Sequence, residues 1–157
     1  MGKPLAPGLK APEFTLPLLG GASTSLHDLL ADGPVVLAFY KISCPVCQLT
    51  LPYLERLKDN GRFRVIGISQ DSADHTRHFE RSFKVTLPSL LDDGSRDYPA
   101  TRAYGVTSVP TLFSVEPDGT ISSISAGFSK RDLTALGERA GRAMFTDADR
   151  VPEFRPG

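Results

Sequence analysis

The sequence holds no tryptophan, two methionines and two cysteines in 157 residues, and its 18 lysines and arginines cancel against 18 aspartates and glutamates. Each shortage narrows the field. A neutral balance leaves no electrostatic footprint for nucleic acid or an anionic membrane surface, so neither is expected as a partner. No apolar run approaches the ~20 residues needed to span a bilayer. The opening Met1-Gly2-Lys3-Pro4-Leu5-Ala6-Pro7-Gly8 has one lysine with no apolar stretch behind it, which is not the pattern of a signal peptide. A cytoplasmic location is therefore the expectation. Two cysteines build no disulfide framework, and a chain of this length closes a core without one. Both belong to Cys44-Pro45-Val46-Cys47. Paired thiols in an otherwise cysteine-free chain point to reactivity, and no cofactor is expected beyond this redox-active pair.

What is present is the composition of a globular domain, 40% hydrophobic and 23% charged. One domain is expected over residues 1–144, followed by an irregular tail, 145–157. Residues up to Pro12 read as an extended lead-in. Paired glycines at Gly20-Gly21 supply the positive φ of a tight turn, which predicts a hairpin from Phe14 to Ser25. Ser25 or Asp28 then caps a short helix to about Ala31. Val35-Val36-Leu37-Ala38-Phe39-Tyr40 is a continuous apolar run, the mark of a strand covered on both faces. Leu49, Leu51, Leu54 and Leu57 follow at helical spacing, and Asn60-Gly61 stops that helix.

A second buried strand is predicted from Arg64 to Ser69, and a polar helix from Ser72 or Asp74 to Phe83. Strand, helix, strand, helix implies parallel pairing with right-handed crossovers. A short strand at Ser89–Leu91 and a helix from Asp97 to Tyr104 come next. Thr111–Val115 and Thr120–Ala126 flank the turn Pro117-Asp118-Gly119, and a last helix runs from Lys130 to Met144.

A strand leading into C-x-x-C at a helix start is a place where a reactive thiol is made. A cysteine in the first turn faces unpaired N–H groups and the positive end of the helix dipole. A second cysteine three residues on is within reach to resolve a mixed disulfide. Cys44 is expected to attack and Cys47 to resolve.

Three separated segments resemble the thioredoxin superfamily: Val35–Tyr40 leading into the cysteines, Tyr104-Gly105-Val106-Thr107-Ser108-Val109-Pro110-Thr111-Leu112-Phe113, and the turn Glu116–Ile121. Ala11-Pro12-Glu13-Phe14-Thr15-Leu16 resembles the start of the redoxin branch, with its TlpA/ResA-like thiol-disulfide oxidoreductases and its AhpC/TSA peroxiredoxins. The resemblance spans roughly Ala11 to Met144. It implies an α/β thioredoxin fold, a central mixed β-sheet flanked by helices, here with an N-terminal β-hairpin extension.

The resemblance also implies a cis peptide at Pro110 that presents the Val109 backbone to substrate, with Pro45 and Val46 completing the substrate contacts. The partners it implies are protein or small-molecule disulfides, and a thioredoxin or thioredoxin reductase-type donor to re-reduce the pair. Three positions depart from the pattern. The tryptophan that commonly precedes the first cysteine is Ser43. The buried acid of thioredoxins is Ala38, and the glutamate of ResA-like proteins is Thr50. The usual proton acceptor for the resolving cysteine is thus missing, and Lys41 is the candidate for tuning the thiols by charge.

Two other readings compete. Phe39-Tyr40-Lys41 and Phe83–Pro88 also resemble peroxiredoxins. Aligned that way, Cys47 becomes the peroxidatic cysteine and peroxide the substrate, but Tyr40 and Cys44 replace the motif proline and the Thr/Ser of that family. A thioredoxin-fold binding module without turnover is the third reading. Against a zinc site, 27 residues separate Cys47 from His75 and two separate His75 from His78, which misses finger spacing. They read as surface residues of a polar helix, and His27, with no partner in sequence, as structural or exposed. Asp71, just past the second strand, sits where α/β sheets expose functional loops, but its favoured role is a helix cap.

Overall fold

The computed structural model describes residues 4–157; Met1, Gly2 and Lys3 of the lead-in lie outside the described residues. Strands β1 (Thr15–Pro17) and β2 (Ser23–Ser25) form the expected hairpin, and α1 (Leu26–Leu30) follows. Of the two possible caps it is Ser25 that accepts the Asp28 N–H. Then come β3 (Val35–Tyr40), α2 (Pro45–Leu54), β4 (Arg64–Ser69), α3 (Ala73–Phe83), β5 (Ser89–Leu91) and α4 (Pro99–Ala103). The chain finishes with β6 (Thr111–Val115), β7 (Ile121–Ala126), β8 (Phe128–Ser129), α5 (Lys130–Ala140) and β9 (Phe154–Arg155).

The central sheet has the order β5-β4-β3-β6-β7. β3, β4 and β5 are parallel, β6 pairs antiparallel with β3, and β7 pairs antiparallel with β6, so the sheet is mixed. All six residues of β3 are buried, as its apolar run requires. Their side chains alternate between two cores. Val36, Ala38 and Tyr40 pack with Cys47, Leu51 and Leu54 of α2, Phe79 of α3 and Leu133 of α5. Val35, Leu37 and Phe39 pack on the other face with the hairpin's Leu16, with Leu26 and Leu29 of α1, and with Ala100 of α4. One close approach demands a glycine. A methyl group at Gly67 would stand 2.7 Å from Ser89 Oγ and 2.9 Å from the Tyr40 ring, where the two side chains share a hydrogen bond of 2.9 Å.

Several elements differ from the sequence reading. α2 stops at Leu54 and tightens into a single 3-10 turn, Glu55–Leu57, closed by the Lys58 N–H on the Glu55 carbonyl at 3.1 Å. α4 starts at Pro99 instead of Asp97, since Asp97 and Tyr98 sit in the left-handed region at φ 60° and 51°. α5 ends at Ala140, four residues early, with Gly141 left-handed at φ 71° and the Arg142 N–H returning to the Gly137 carbonyl at 2.8 Å. Lastly, the tail from Phe145 is not irregular throughout: β9 pairs antiparallel with β8.

Candidate active site

β3 delivers the chain to Lys41-Ile42-Ser43, and α2 begins at Pro45, whose fixed φ suits the first helical position. Cys44 is the N-cap of α2. Its sulfur accepts the Cys47 N–H at 3.4 Å. The loop before it is pinned from two sides: the Ile42 N–H donates to Asp71 Oδ2 at 2.8 Å, and Gln48 Nε2 donates to the Ile42 carbonyl at 2.9 Å. Asp71 is therefore not the helix cap. Ser72 caps α3 by accepting the His75 N–H, which frees the Asp71 carboxylate to hold the cysteine loop.

The two cysteines are free thiols in unlike settings. Cys44 is half-buried, while Cys47 is fully sealed in the core beneath it. Burial pushes the Cys47 thiol well above the ordinary thiol range, and charge on Cys44 or Asp71 pushes the same way. The backbone amide of Lys41 works in the opposite direction. Lys41 itself is exposed, so the residue expected to tune the thiols by charge meets Cys47 through its main chain. Ala38 is fully buried, and Thr50 donates its hydroxyl to the Val46 carbonyl at 2.7 Å within its own helix. Neither offers a carboxylate. Tyr40, also fully buried, has its hydroxyl pushed up to about 12 by burial.

The second half of the chain supplies the other wall. β6 runs antiparallel to β3 with Phe39 opposite Thr111, which brings Pro110 beside the end of β3. The Val109–Pro110 peptide is cis. The Cys44 thiol donates to the Val109 carbonyl at 3.4 Å. Thr111 Oγ1 donates to the Ser108 carbonyl at 2.8 Å and the Gly127 N–H to the Pro110 carbonyl at 2.8 Å, so this loop is held on both sides. Of the other expected contact positions, Pro45 is exposed and Val46 half-buried. A cavity of about 360 Å³ opens alongside, lined by Lys41, Gln70, Tyr98, Arg102, Ser108 and Val109.

Two acids matter more than the sequence reading allowed. Asp71 follows a sheet strand, which is a usable signal. Asp92 gave none, because it reads as turn punctuation before Asp93-Gly94. It is 1% exposed and accepts the Ala100 N–H at 2.9 Å, the Thr101 N–H at 2.7 Å and the Thr101 hydroxyl at 2.6 Å, capping α4 from a distance. Gln70 Nε2 reaches the same Thr101 hydroxyl at 3.2 Å, which links this cap to the cavity beside Val109. His27, His75 and His78 are exposed, and among the described residues no three His, Cys, Asp or Glu side chains gather to hold a metal ion.

With this geometry stand the likenesses to known proteins. The model of the AhpC/TSA family matches residues 7–124. Thioredoxin-like protein YneN of Bacillus subtilis is 30% identical over 134 residues, covering 80% of this chain and 75% of that protein. Thiol-disulfide oxidoreductase ResA of Bacillus thuringiensis is 29% identical over 119 residues, covering 73% of this chain and 66% of ResA. Among solved structures, the thioredoxin domain of a thiol-disulfide oxidoreductase from Bacteroides vulgatus superposes with a TM-score of 0.74 at 26% identity, covering 86% of this chain and 97% of that domain. Among the described residues no helix is long and apolar enough to cross a membrane.

Proposed function

This chain belongs to the AhpC/TSA family and is an oxidoreductase of the thioredoxin type, and we propose that it exchanges disulfides with Cys44 as the attacking thiol and Cys47 as the resolving one. The Cys44 thiolate attacks one sulfur of a substrate disulfide. A Cys44–substrate disulfide forms, and the other substrate sulfur leaves as a thiolate that takes up a proton. Cys47 then loses its proton and attacks Cys44 Sγ, forming the Cys44–Cys47 disulfide and releasing the second substrate thiolate. Two electrons have passed from the protein to the substrate. A dithiol donor of the thioredoxin or thioredoxin reductase type restores the pair.

The observation that carries this order is the asymmetry of the thiols: Cys44 half-buried with its sulfur on the Val109 carbonyl, Cys47 sealed beneath. Val109, beside the cis peptide, supports the reading of its backbone as the docking edge for an extended substrate segment. Pro45 and Val46, on the exposed side of the first turn of α2, complete the contact surface in this reading. In a reducing compartment, net flow is toward reduction of the substrate.

Peroxide reduction at Cys47 is disfavoured by the same asymmetry. That chemistry needs an accessible thiolate, and burial keeps this group a thiol. The test is reduction of insulin disulfides by the intact chain, by Cys44→Ser and by Cys47→Ser, beside the second-order rate of the reduced protein with hydrogen peroxide. Insulin turnover lost in both variants, with a peroxide rate near that of an ordinary thiol, is the expected result. A far faster peroxide reaction, lost only in Cys47→Ser, would reverse the roles.

A further inference from the structure

The tail returns to the Val109–Pro110 peptide that faces Cys44. Its root is fastened: the Arg56 guanidinium grips Asp149 through two bonds of 2.8 and 2.9 Å, Val151 packs against the α2 side of the core, and the Glu153 carbonyl accepts the Lys130 N–H at 3.0 Å. Its tip is held by little more than backbone. Phe154 and Arg155 pair with Ser129 and Phe128, yet Phe154 is 56% exposed.

Beyond that pairing the chain passes Gly127 and reaches the Val109–Pro110 peptide. A methyl group at Gly127 would meet the Arg155 carbonyl and stand 3.3 Å from Pro156 Cα. One at Gly157 would stand 2.7 Å from the Val109 carbonyl carbon and 3.3 Å from the Pro110 nitrogen. The tip therefore lies along the main chain of Gly127 and of Val109, whose carbonyl is in contact with Cys44.

We propose that residues 154–157, anchored on β8 and ending against Val109, are a resident segment that covers the docking edge of the active site, which an extended segment of a protein substrate must displace. The proposal rests on the reading of Cys44 as attacking thiol beside a Val109 docking edge. A segment in contact with the Val109 carbonyl fills the space that an incoming polypeptide needs at that edge, so the tip and a substrate polypeptide exclude each other. A small disulfide needs the sulfur but not the edge. The fastened root keeps the tip at high local concentration, so it returns once product leaves. The gate thus discriminates by substrate size and backbone, leaving the chemistry at Cys44 unchanged.

The experiment compares the intact chain with a form lacking residues 154–157, each recycled by excess dithiol, on insulin and on a small aromatic disulfide. Removal is expected to raise kcat/KM for insulin about three- to tenfold, the gain for a site open between about a third and a tenth of the time, and to leave the small-disulfide rate unchanged. A synthetic peptide of residues 151–157 added to the shortened form should lower the insulin rate again. Should the shortened form fail to fold, Gly157→Val decides: its side chain collides with the Val109 carbonyl, expels the tip and leaves the root in place, with the same gain expected. Equal insulin rates with small-disulfide reduction intact overturn the gate alone. Absence of small-disulfide reduction in every form overturns the reading of Cys44, and the gate with it.

Discussion

The Cys44 sulfur and the Val109 carbonyl oxygen stand 3.4 Å apart although 65 positions separate them in the chain. A substrate sulfur that bonds to Cys44 must therefore arrive against Val109. Cys47→Ser is expected to accumulate a stable mixed disulfide at Cys44 with a protein substrate, while Cys44→Ser accumulates none. Intact mass measured without reductant checks both. A covalent adduct on Cys47 in the Cys44→Ser variant would contradict the assignment.

The Asp71 carboxylate accepts the Ile42 amide in the loop that leads into the cysteines, and its charge acts on Cys47. The Cys47 thiol is held above its ordinary range, first by burial and in lesser part by the Asp71 charge. Release of substrate from the mixed disulfide by Cys47 should therefore accelerate about tenfold per pH unit as pH rises from neutral, since only the thiolate attacks. Asp71→Asn retains an oxygen for the Ile42 amide and removes the charge, so release at neutral pH is expected to be several-fold faster. Stopped-flow single turnovers read this directly. A slower release would instead make Asp71 the acceptor of the Cys47 proton.

Asp92 is a buried carboxylate whose three bonds all run to the start of α4. Its loss strands two backbone donors at a helix start. Asp92→Ala is expected to cost roughly 2–4 kcal/mol in urea unfolding, the sum of a lost cap and charge-assisted bonds. The denaturant slope should stay constant, with Asp92→Asn falling between.

Arg139 grips Glu116 through bonds of 2.8 and 3.0 Å, and this pairing, with help from Ser122, holds the Glu116 carboxyl below its ordinary value. A carboxyl depressed in the folded state stabilises it at pH above the ordinary value near 4.5, and that stability is lost as pH falls through the depressed value. Glu116→Gln should therefore lower Tm at pH 7 by a few degrees and converge with the parent in acid. Both partners are partly exposed, so added salt should shrink the difference.

β3 was legible by its uninterrupted apolar run, β4 by Val65, Ile66 and Ile68, and both have the bounds expected of them, while β6 and β7 were marked by the turn Pro117-Asp118-Gly119 between them. The cysteines announced themselves by spacing. Helix ends were less legible where the deciding event is not local: α4 begins at Pro99 because Asp92, seven positions earlier, reaches back to cap it, and no periodicity encodes that reach. Asp71 looked like a cap because Asp and Ser are equally good ones, and Ser72 took the role. β9 escaped notice because two residues flanked by prolines carry no pattern, and their strand character comes from β8.

Phe39 and Thr111 sit opposite each other on neighbouring antiparallel strands, one at the close of the segment that carries the thiols and the other just past the proline that faces them. A ribosome making this protein therefore finishes both cysteines long before it has made any surface to judge what they touch. Until Thr111 has emerged and β6 has paired with β3, the growing polypeptide has its two sulfurs without the Val109 carbonyl that Cys44 meets in the finished sheet. In the proposed reading, selectivity therefore arrives late in synthesis, as a property of that sheet.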